Sequence, residues 1–319
     1  MIPRFFSDIH FHDWAKFNKD NRRLEAQLKI LEDLFALSFR DKSPLFFSGD
    51  LFQNPESLTN ELLSIMLPRI TELFNIYPIQ LYAISGNHDL QGINDLTHRS
   101  PSYINTFSNS IQGFHNLDFS SVTFENFVVH GIPYLTHNMG FNESVADIKV
   151  VPNKFNILLC HTDFKGQKDT NGFEVGRGEN FDESLLDKFD LVMSGHIHKK
   201  GLIRNNIYSV GAPLELRLSD MGGAFGYWSL KKRNKLQFKE ISDTPKYRVY
   251  TSDSEKVNSY DYWIKETKSD PEIQFALEEE LDLQDPLLIS KNYVKAINLK
   301  SRAKAKALLE LLRNLEDQV

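Results

Sequence analysis

Five short apolar runs each break off on a polar cluster, and this pattern constrains the chain more than any other feature. Pro3–Phe6 leads into Ser7-Asp8-Ile9-His10, and Leu45-Phe46-Phe47 into Ser48-Gly49-Asp50. Ile79–Ile84 leads into Ser85-Gly86-Asn87-His88-Asp89, and Ile157–Cys160 into His161. Asp190–Met193 leads into Ser194-Gly195-His196-Ile197-His198. Runs of this length suit buried strands, and helical patterns lie between the first of them. Leu24, Leu28, Leu31 and Phe35 recur at steps of 4, 3 and 4 residues, one face of a 3.6-residue period. Asn54 before Pro55 reads as a helix start, with Leu58, Leu62, Ile65 and Leu73 on the apolar face and Pro68 expected to kink or split the helix. Strand, polar tip and helix in repeated order imply parallel strands whose tips gather at one edge of a sheet.

Beyond the third tip the pattern becomes more β-like. Phe114–Tyr134 alternates in short runs, including Val122-Thr123-Phe124 and Phe127-Val128-Val129. Residues 163–180, with Gly166, Gly172, Gly176 and Gly178, read as a long surface loop. Ile207–Val210 and Tyr227–Leu230 read as later strands, the second joined to Lys235–Phe238 by a turn at Arg233-Asn234. After about Glu240 the charge pattern changes: residues 243–285 hold 12 Asp/Glu against 5 Lys/Arg, whereas residues 291–319 hold 3 against 7. Ser301–Glu316 has an amphipathic helical pattern. The expected division is a main domain over 1–240 and a small α+β or helical appendage over 241–319.

Composition sets outer limits. At 41% hydrophobic and 25% charged residues, the chain can bury a sizeable core. A net charge of −6 argues against a protein that coats nucleic acid through its global charge, though not against a locally basic cleft. The single cysteine, Cys160, excludes an intramolecular disulfide and fits a reducing compartment. No apolar run approaches the roughly 18–20 residues of a spanning helix and the N-terminus has no signal pattern, so a cytoplasmic, non-membrane protein is expected.

The tips carry metal chemistry. Carboxylate oxygens and imidazole nitrogens are the hard and borderline ligands of divalent cations, and a carboxylate can bridge two of them. An asparagine oxygen adds a neutral ligand. In Asp8-Ile9-His10 and His196-Ile197-His198 the period of two puts alternate side chains on one side of an extended backbone. Gly49, Gly86 and Gly195 allow sharp turns and close approach. Any one motif is weak; their joint occurrence in this order, each after an apolar run, is specific.

With these motifs the chain resembles the calcineurin-like metallophosphoesterases over Asp8–His198, and more loosely to about Leu230. The resemblance implies an α/β fold, a four-layered αββα sandwich. It implies that Asp8, His10 and His198 hold one metal, that Asn87, His161 and His196 hold the other, and that Asp50 bridges them. His88 would be the catalytic histidine and Asp89 would orient it. Within the superfamily, Gly49-Asp50-Leu51-Phe52, Gly131-Ile132-Pro133-Tyr134 and Ile207–Leu214 with Gly226-Tyr227 are similar to the SbcD-type DNA repair nucleases and their phage recombination-exonuclease relatives. That implies a phosphodiester hydrolase, exonuclease or endonuclease, acting on DNA through a metal-bridging hydroxide. It also implies two manganese ions, with zinc or iron compatible with the same ligands, and a homodimer assembled with an SbcC-type ATPase. A small-substrate phosphodiesterase or phosphatase of the same superfamily is the alternative.

Other polar residues read more plainly. His12 is a phosphate contact or, more readily, an exposed loop histidine or a donor behind the metal ligands. Tyr134 is a candidate substrate contact. His130 and Cys160 are expected to pack in the core, and Phe46-Phe47 likewise.

Overall fold

The computed structural model describes residues 2–12, 21–54, 58–170, 172, 174, 182–231, 235–250 and 261–265. The expected helix over Ser301–Glu316 and the turn at Arg233-Asn234 lie outside them. The chain divides into two compact units, Met1–Arg248 with Asn258–Tyr262, and Val249–Val257 with Trp263–Val319.

Its elements run β1 (Arg4–Phe6), α1 (Arg22–Asp41), β2 (Leu45–Phe47), α2 (Asn60–Ile76), β3 (Leu81–Ala83), α3 (Tyr103–Ser110), β4 (Phe114–Asn116), β5 (Ser121–Thr123), β6 (Phe127–Ile132) and α4 (Phe141–Asp147). They continue through β7 (Phe155–His161), β8 (Leu191–Gly195), β9 (Gly201–Arg204), β10 (Ile207–Ser209), β11 (Gly226–Lys231) and β12 (Lys235–Glu240). One six-stranded sheet has the order β12-β11-β1-β2-β3-β4 and the other β5-β6-β7-β8-β10-β9. β1 to β4 pair in parallel, and so do β6, β7, β8 and β10; antiparallel strands close every edge except that at β4.

Alternation along the strands builds the layers. In the first sheet Phe6, Leu45, Phe47, Leu81 and Ala83 pack with Leu24, Leu28, Leu31 and Phe35 of α1 and Met66, Ile70 and Leu73 of α2. Their neighbours Phe5 and Phe46 turn the other way and meet Val129, Ile157, Leu159 and Met193 of the second sheet. On that sheet's far face Leu158, Cys160 and Val192 pack with Phe141 and Val145 of α4. Helix, sheet, sheet, helix: this is an αββα sandwich, as the family resemblance implied, and its parallel strands are those of the strand-and-tip pattern. Buried large side chains such as Phe35 and Phe46, both 0% exposed, typically cost about 3–5 kcal/mol each when truncated to alanine.

Local signals explain where the helices differ from expectation. α2 begins after Thr59, not Asn54, because the Thr59 hydroxyl accepts the Leu62 N–H at 3.0 Å and caps it. Pro68 does not split α2, which runs unbroken through Ile76. Both Pro68 and Ser64, whose carbonyl loses its partner, face solvent, where water can replace the bond. The short helices α3 and α4 and strand β9 carry too few periodic residues to be read in advance.

Candidate metal centre

The five polar tips converge where the two sheets end side by side. Pairing continues beyond the strands: Asp8 N–H donates to Gly49 O at 2.9 Å and His10 N–H to Asp50 O at 3.1 Å. The backbone then leaves ordinary conformation. Asp8, His10, Asp50 and His196 have φ of 53°, 48°, 63° and 84°, the left-handed region that non-glycine residues enter at a cost of about 1–3 kcal/mol each. Such strain persists only where surroundings over-determine it. Gly86 and Gly195 show how tight those surroundings are. A Cβ on Gly86 would lie 2.1 Å from Asp50 Oδ1, and one on Gly195 would lie 2.3 Å from Ser7 Oγ and 2.7 Å from His161 Nδ1. Any larger residue at either position would push the tips apart.

The expected ligand residues are brought together. Three sets of side chains have potential ligand atoms within 4.8 Å of one another: Asp8, His10 and His198; His10, Asp50 and His88; and Asp50, His161 and His196. Asp50 Oδ2 stands between the outer two, 3.5 Å from His10 Nε2 and 3.3 Å from His161 Nε2. Asn87 joins the third set, its Oδ1 lying 3.1 Å from His161 Nε2 and 3.0 Å from His196 Nδ1. Tyr134 lies at the rim, its ring 6.0 Å from that of His196 and 6.2 Å from that of His161. Asp8, His10, Asp50 and His161 are at most 2% exposed, whereas Asn87, His88, His196 and Tyr134 are half-buried and form the open side.

Two expectations need correcting. Asp89, expected to orient His88, directs its carboxylate at backbone: Oδ2 accepts from Asp50 N at 2.8 Å and Gly86 N at 2.9 Å, and Oδ1 from Leu51 N at 2.8 Å. It clamps the second tip to the third. The group against His88 Nδ1 is the Gln53 carbonyl at 2.5 Å, which can only accept, so Nδ1 carries a proton. His12 is neither exposed nor at the centre's open side. At 3% exposure its Nε2 accepts from Arg23 Nη1 at 3.2 Å, and Arg23 also donates to Leu216 O at 2.8 Å. His12 belongs to that buried arginine network, and burial, then the Arg23 charge, push its pKa down to about 3.

Sequence reading missed the residues that support the candidate ligands. Gln27 Nε2 donates to Ile9 O at 2.5 Å and His10 O at 2.9 Å, pinning the strained first tip from α1. His161 Nδ1 donates to Ser48 O at 2.6 Å, which leaves Nε2 facing Asp50. Asp220 Oδ2 accepts from His198 Nδ1 at 3.0 Å. Carboxylate and carbonyl partners of this kind fix the tautomer and orientation of ligand histidines. Each reaches its partner across a long stretch of chain, so no local motif announces it.

The charge balance favours cations. Burial, only partly offset by Asp8 and Asp50, pushes His10 down to about 4. Burial and the neighbouring His161 push His196 down to about 4. Burial alone would lower His161, but the Asp50 charge and hydrogen bond outweigh it and raise the group to about 9. Asp8 and Asp50 are held below the usual range: burial opposes ionisation, but the His10 imidazole 3.8 Å from Asp8 and the His161 charge beside Asp50 head the effects that overcome it. Asp89 goes the other way, up to about 7, through burial and the Asp50 charge. Two buried, ionised carboxylates therefore face His10 and His196, which burial holds neutral, and a single imidazolium at His161. Neither nitrogen of buried His10 has a hydrogen-bond partner, a costly arrangement that a cation on Nε2 relieves. The residues fit divalent metal ions.

An αββα sandwich with carboxylates, imidazoles and an asparagine at its strand tips defines a metallophosphoesterase. Residues 4–200 match the calcineurin-like phosphoesterase family, and the chain belongs to it. The SbcD component of the nuclease SbcCD from Staphylococcus saprophyticus is 25% identical over 248 residues, which cover 71% of this chain and 65% of that protein. The chain thus spans just under two-thirds of that relative's length. Among solved structures, a dimetal phosphatase from Danio rerio superposes with TM-score 0.47 at 9% identity, covering 72% of this chain and 91% of that one. GAP50, the anchor in the inner membrane complex of Plasmodium, does so with TM-score 0.43 at 13% identity, covering 76% and 89%. Among the described residues no helix is long and apolar enough to cross a membrane.

Proposed function

We propose that the protein is a two-metal phosphodiesterase, an SbcD-like nuclease component that hydrolyses DNA. One observation carries the two-metal phosphoesterase reading: the Asp50 carboxylate stands between two ligand sets, with the unbonded nitrogens of His10 on one side and His161 on the other. Asp8, His10 and His198 would hold one ion, Asn87, His161 and His196 the other, and Asp50 both. The ions, manganese in this reading, supply Lewis-acid activation of the ester and of water.

The chain's own residues do the rest. Asp8 and Asp50 provide the negative charge that retains the cations, while Asn87 adds a donor oxygen without adding charge that would repel an anionic ester. His88, on the open side with its ring 4.8 Å from that of His10, is placed to give a hydrogen bond or proton to the phosphoryl or leaving oxygen. Its Nδ1 bond to the Gln53 carbonyl fixes the ring for that role. Asp89 acts as a positioning residue. Tyr134 lines the rim that a nucleotide would cross.

The likeness to a nuclease component supports DNA as substrate and an SbcC-type ATPase as partner. Assays with manganese on single- and double-stranded DNA, beside bis-p-nitrophenyl phosphate and p-nitrophenyl phosphate, test the reading. Cleavage of DNA from its ends with little action on the monoester is expected. Efficient monoester hydrolysis with DNA untouched, even with the ATPase supplied, favours a small-substrate phosphatase instead.

A further inference from the structure

The loop between β10 and β11 reaches the centre through the turn Arg217–Asp220. Asp220 Oδ2 receives three donors: His198 Nδ1 at 3.0 Å, Leu216 N at 3.1 Å and Arg217 N at 3.2 Å. On the other side of the same imidazole, Arg217 Nη2 lies 3.4 Å from His198 Nε2. A guanidinium has only donors, so this contact requires a lone pair on Nε2 and the proton on Nδ1. The Asp220 carboxylate selects that same tautomer independently. The nitrogen that Arg217 touches is therefore the one that His198 would offer to a cation.

A cation at Nε2 removes the acceptor and repels the guanidinium. The Arg217 backbone stays beside the centre, because its own N–H is bonded to Asp220, so the guanidinium remains within reach of whatever binds there. That carboxylate is not a ready alternative, since the oxygen nearest the turn already takes three donors. The Arg217 side chain is exposed, on a turn anchored beside the centre, and it ends in a guanidinium with donors only. The group that then arrives at the centre is an anion, and guanidinium matches phosphate oxygens in charge and in planar two-donor geometry.

We propose that Arg217 is a substrate-binding residue, which yields His198 to the metal and takes up a non-bridging oxygen of the bound phosphodiester. This rests on the phosphodiesterase reading, and it adds to the metal centre a fixed positive charge supplied by the chain itself. It also assigns the turn two tasks: Asp220 orients a ligand, and Arg217 receives the substrate.

The test uses the full chain loaded with manganese, with metal content, calorimetric titration of inorganic phosphate, and steady-state hydrolysis of bis-p-nitrophenyl phosphate. Arg217→Ala should keep its full metal content and melting temperature, yet bind phosphate roughly tenfold more weakly or worse, with KM raised by a similar factor. Arg217→Lys should recover part of the loss, since it restores charge but not the planar fork. Unchanged phosphate affinity and KM in Arg217→Ala overturn the proposal. Loss of metal in that variant overturns it too, because Arg217 would then be a support of His198. A manganese-loaded wild type that leaves every diester intact refutes the phosphodiesterase reading, while the phosphate titration still decides whether Arg217 binds the anion. A wild type that takes up no manganese refutes both.

Discussion

Strand β7 carries a buried polar side chain near each end, and the two ends differ in kind. Near its start, Asn156 is 5% exposed and fully matched. Its Oδ1 accepts from Val151 N at 2.8 Å and His130 Nε2 at 3.2 Å, and its Nδ2 donates to Val151 O at 3.1 Å and Lys154 O at 2.8 Å. His130 closes the circuit by accepting from Ser121 Oγ at 2.7 Å. At the other end His161 enters a cluster with acceptors in surplus: two ionised carboxylates, an asparagine oxygen, and a His10 ring bonded at neither nitrogen. Burial and hydrogen bonding alone do not separate a structural histidine from a functional one. Closure does: the Asn156 cluster is complete without a guest, and the His161 cluster is not.

If that contrast is right, changes at the open end should remove activity and spare the fold. Asp50→Asn is the most severe. It keeps the shape but removes the central charge, and loss of several kcal/mol of stabilisation should lower diester hydrolysis by about three orders of magnitude. Metal analysis should show reduced content in a protein that melts normally; a wild-type rate with two ions would remove Asp50 from the centre. His88→Ala should retain both ions and lose about 10²–10⁴-fold in kcat, the usual range for a positioned acid or base. Loss of metal in that variant would make His88 a ligand, a role its proximity to His10 and Asp50 also permits.

The closed end should respond in the opposite way. Asn156→Ala strands several buried backbone groups and one face of His130, and each unsatisfied group costs about 1–3 kcal/mol. Urea unfolding should show a loss of about 3 kcal/mol, with kcat per folded molecule unchanged. A variant that melts normally but hydrolyses poorly would show that the two ends of β7 are coupled.

The residues that gather at the candidate centre and the parallel strands that carry them were legible in the sequence for the same reason. Apolar runs ending in Asp, His and Asn make strand and site visible together, because the residues that stop the strand are the ones the chemistry uses. Supports were invisible because they act across the fold: Gln27 on α1 holds the tip of β1, and Asp220 holds His198 from a loop. Asp89 is visible as a residue but not in its role, since its place beside His88 suggests a side-chain partner where the fold supplies three backbone donors. His12 illustrates the converse. Its nearness to Asp8 and His10 in the chain suggests the site, but the β1–α1 connection turns it toward Arg23.

A smaller effect sharpens the comparison at Asp220. Asp220→Asn keeps an acceptor for His198 Nδ1 but removes the charge that strengthens the ligand, and changes of this type cost about 10–100-fold in metal affinity. Titration with manganese should find the loss there and none in Asn156→Ala, whose side chain touches no ligand. Equal losses in both variants would mean that the drop in affinity reflects general loosening of the sandwich.

The mildest distinction is one of protons. In the metal-free protein His161 is raised to about 9 because the Asp50 charge and bond outweigh burial, so near neutrality it carries a proton that a metal must displace. Metal affinity should therefore climb by up to about tenfold per pH unit from near neutrality and level off close to pH 9. Stability of the metal-free protein runs the other way. A folded-state pKa above the unfolded value of 6.5 gives stabilisation that is complete below 6.5 and lost as pH rises to about 9. His130 is shifted downward by burial, so it binds fewer protons folded than unfolded, and its contribution grows as pH rises through the unfolded value. Melting curves of the metal-free protein between about pH 6 and 9 should lose the His161 contribution in wild type and not in His161→Gln. If both follow the same curve, the proton on His161 is not the one that the metal replaces, and Asp50 is not its partner in the empty centre.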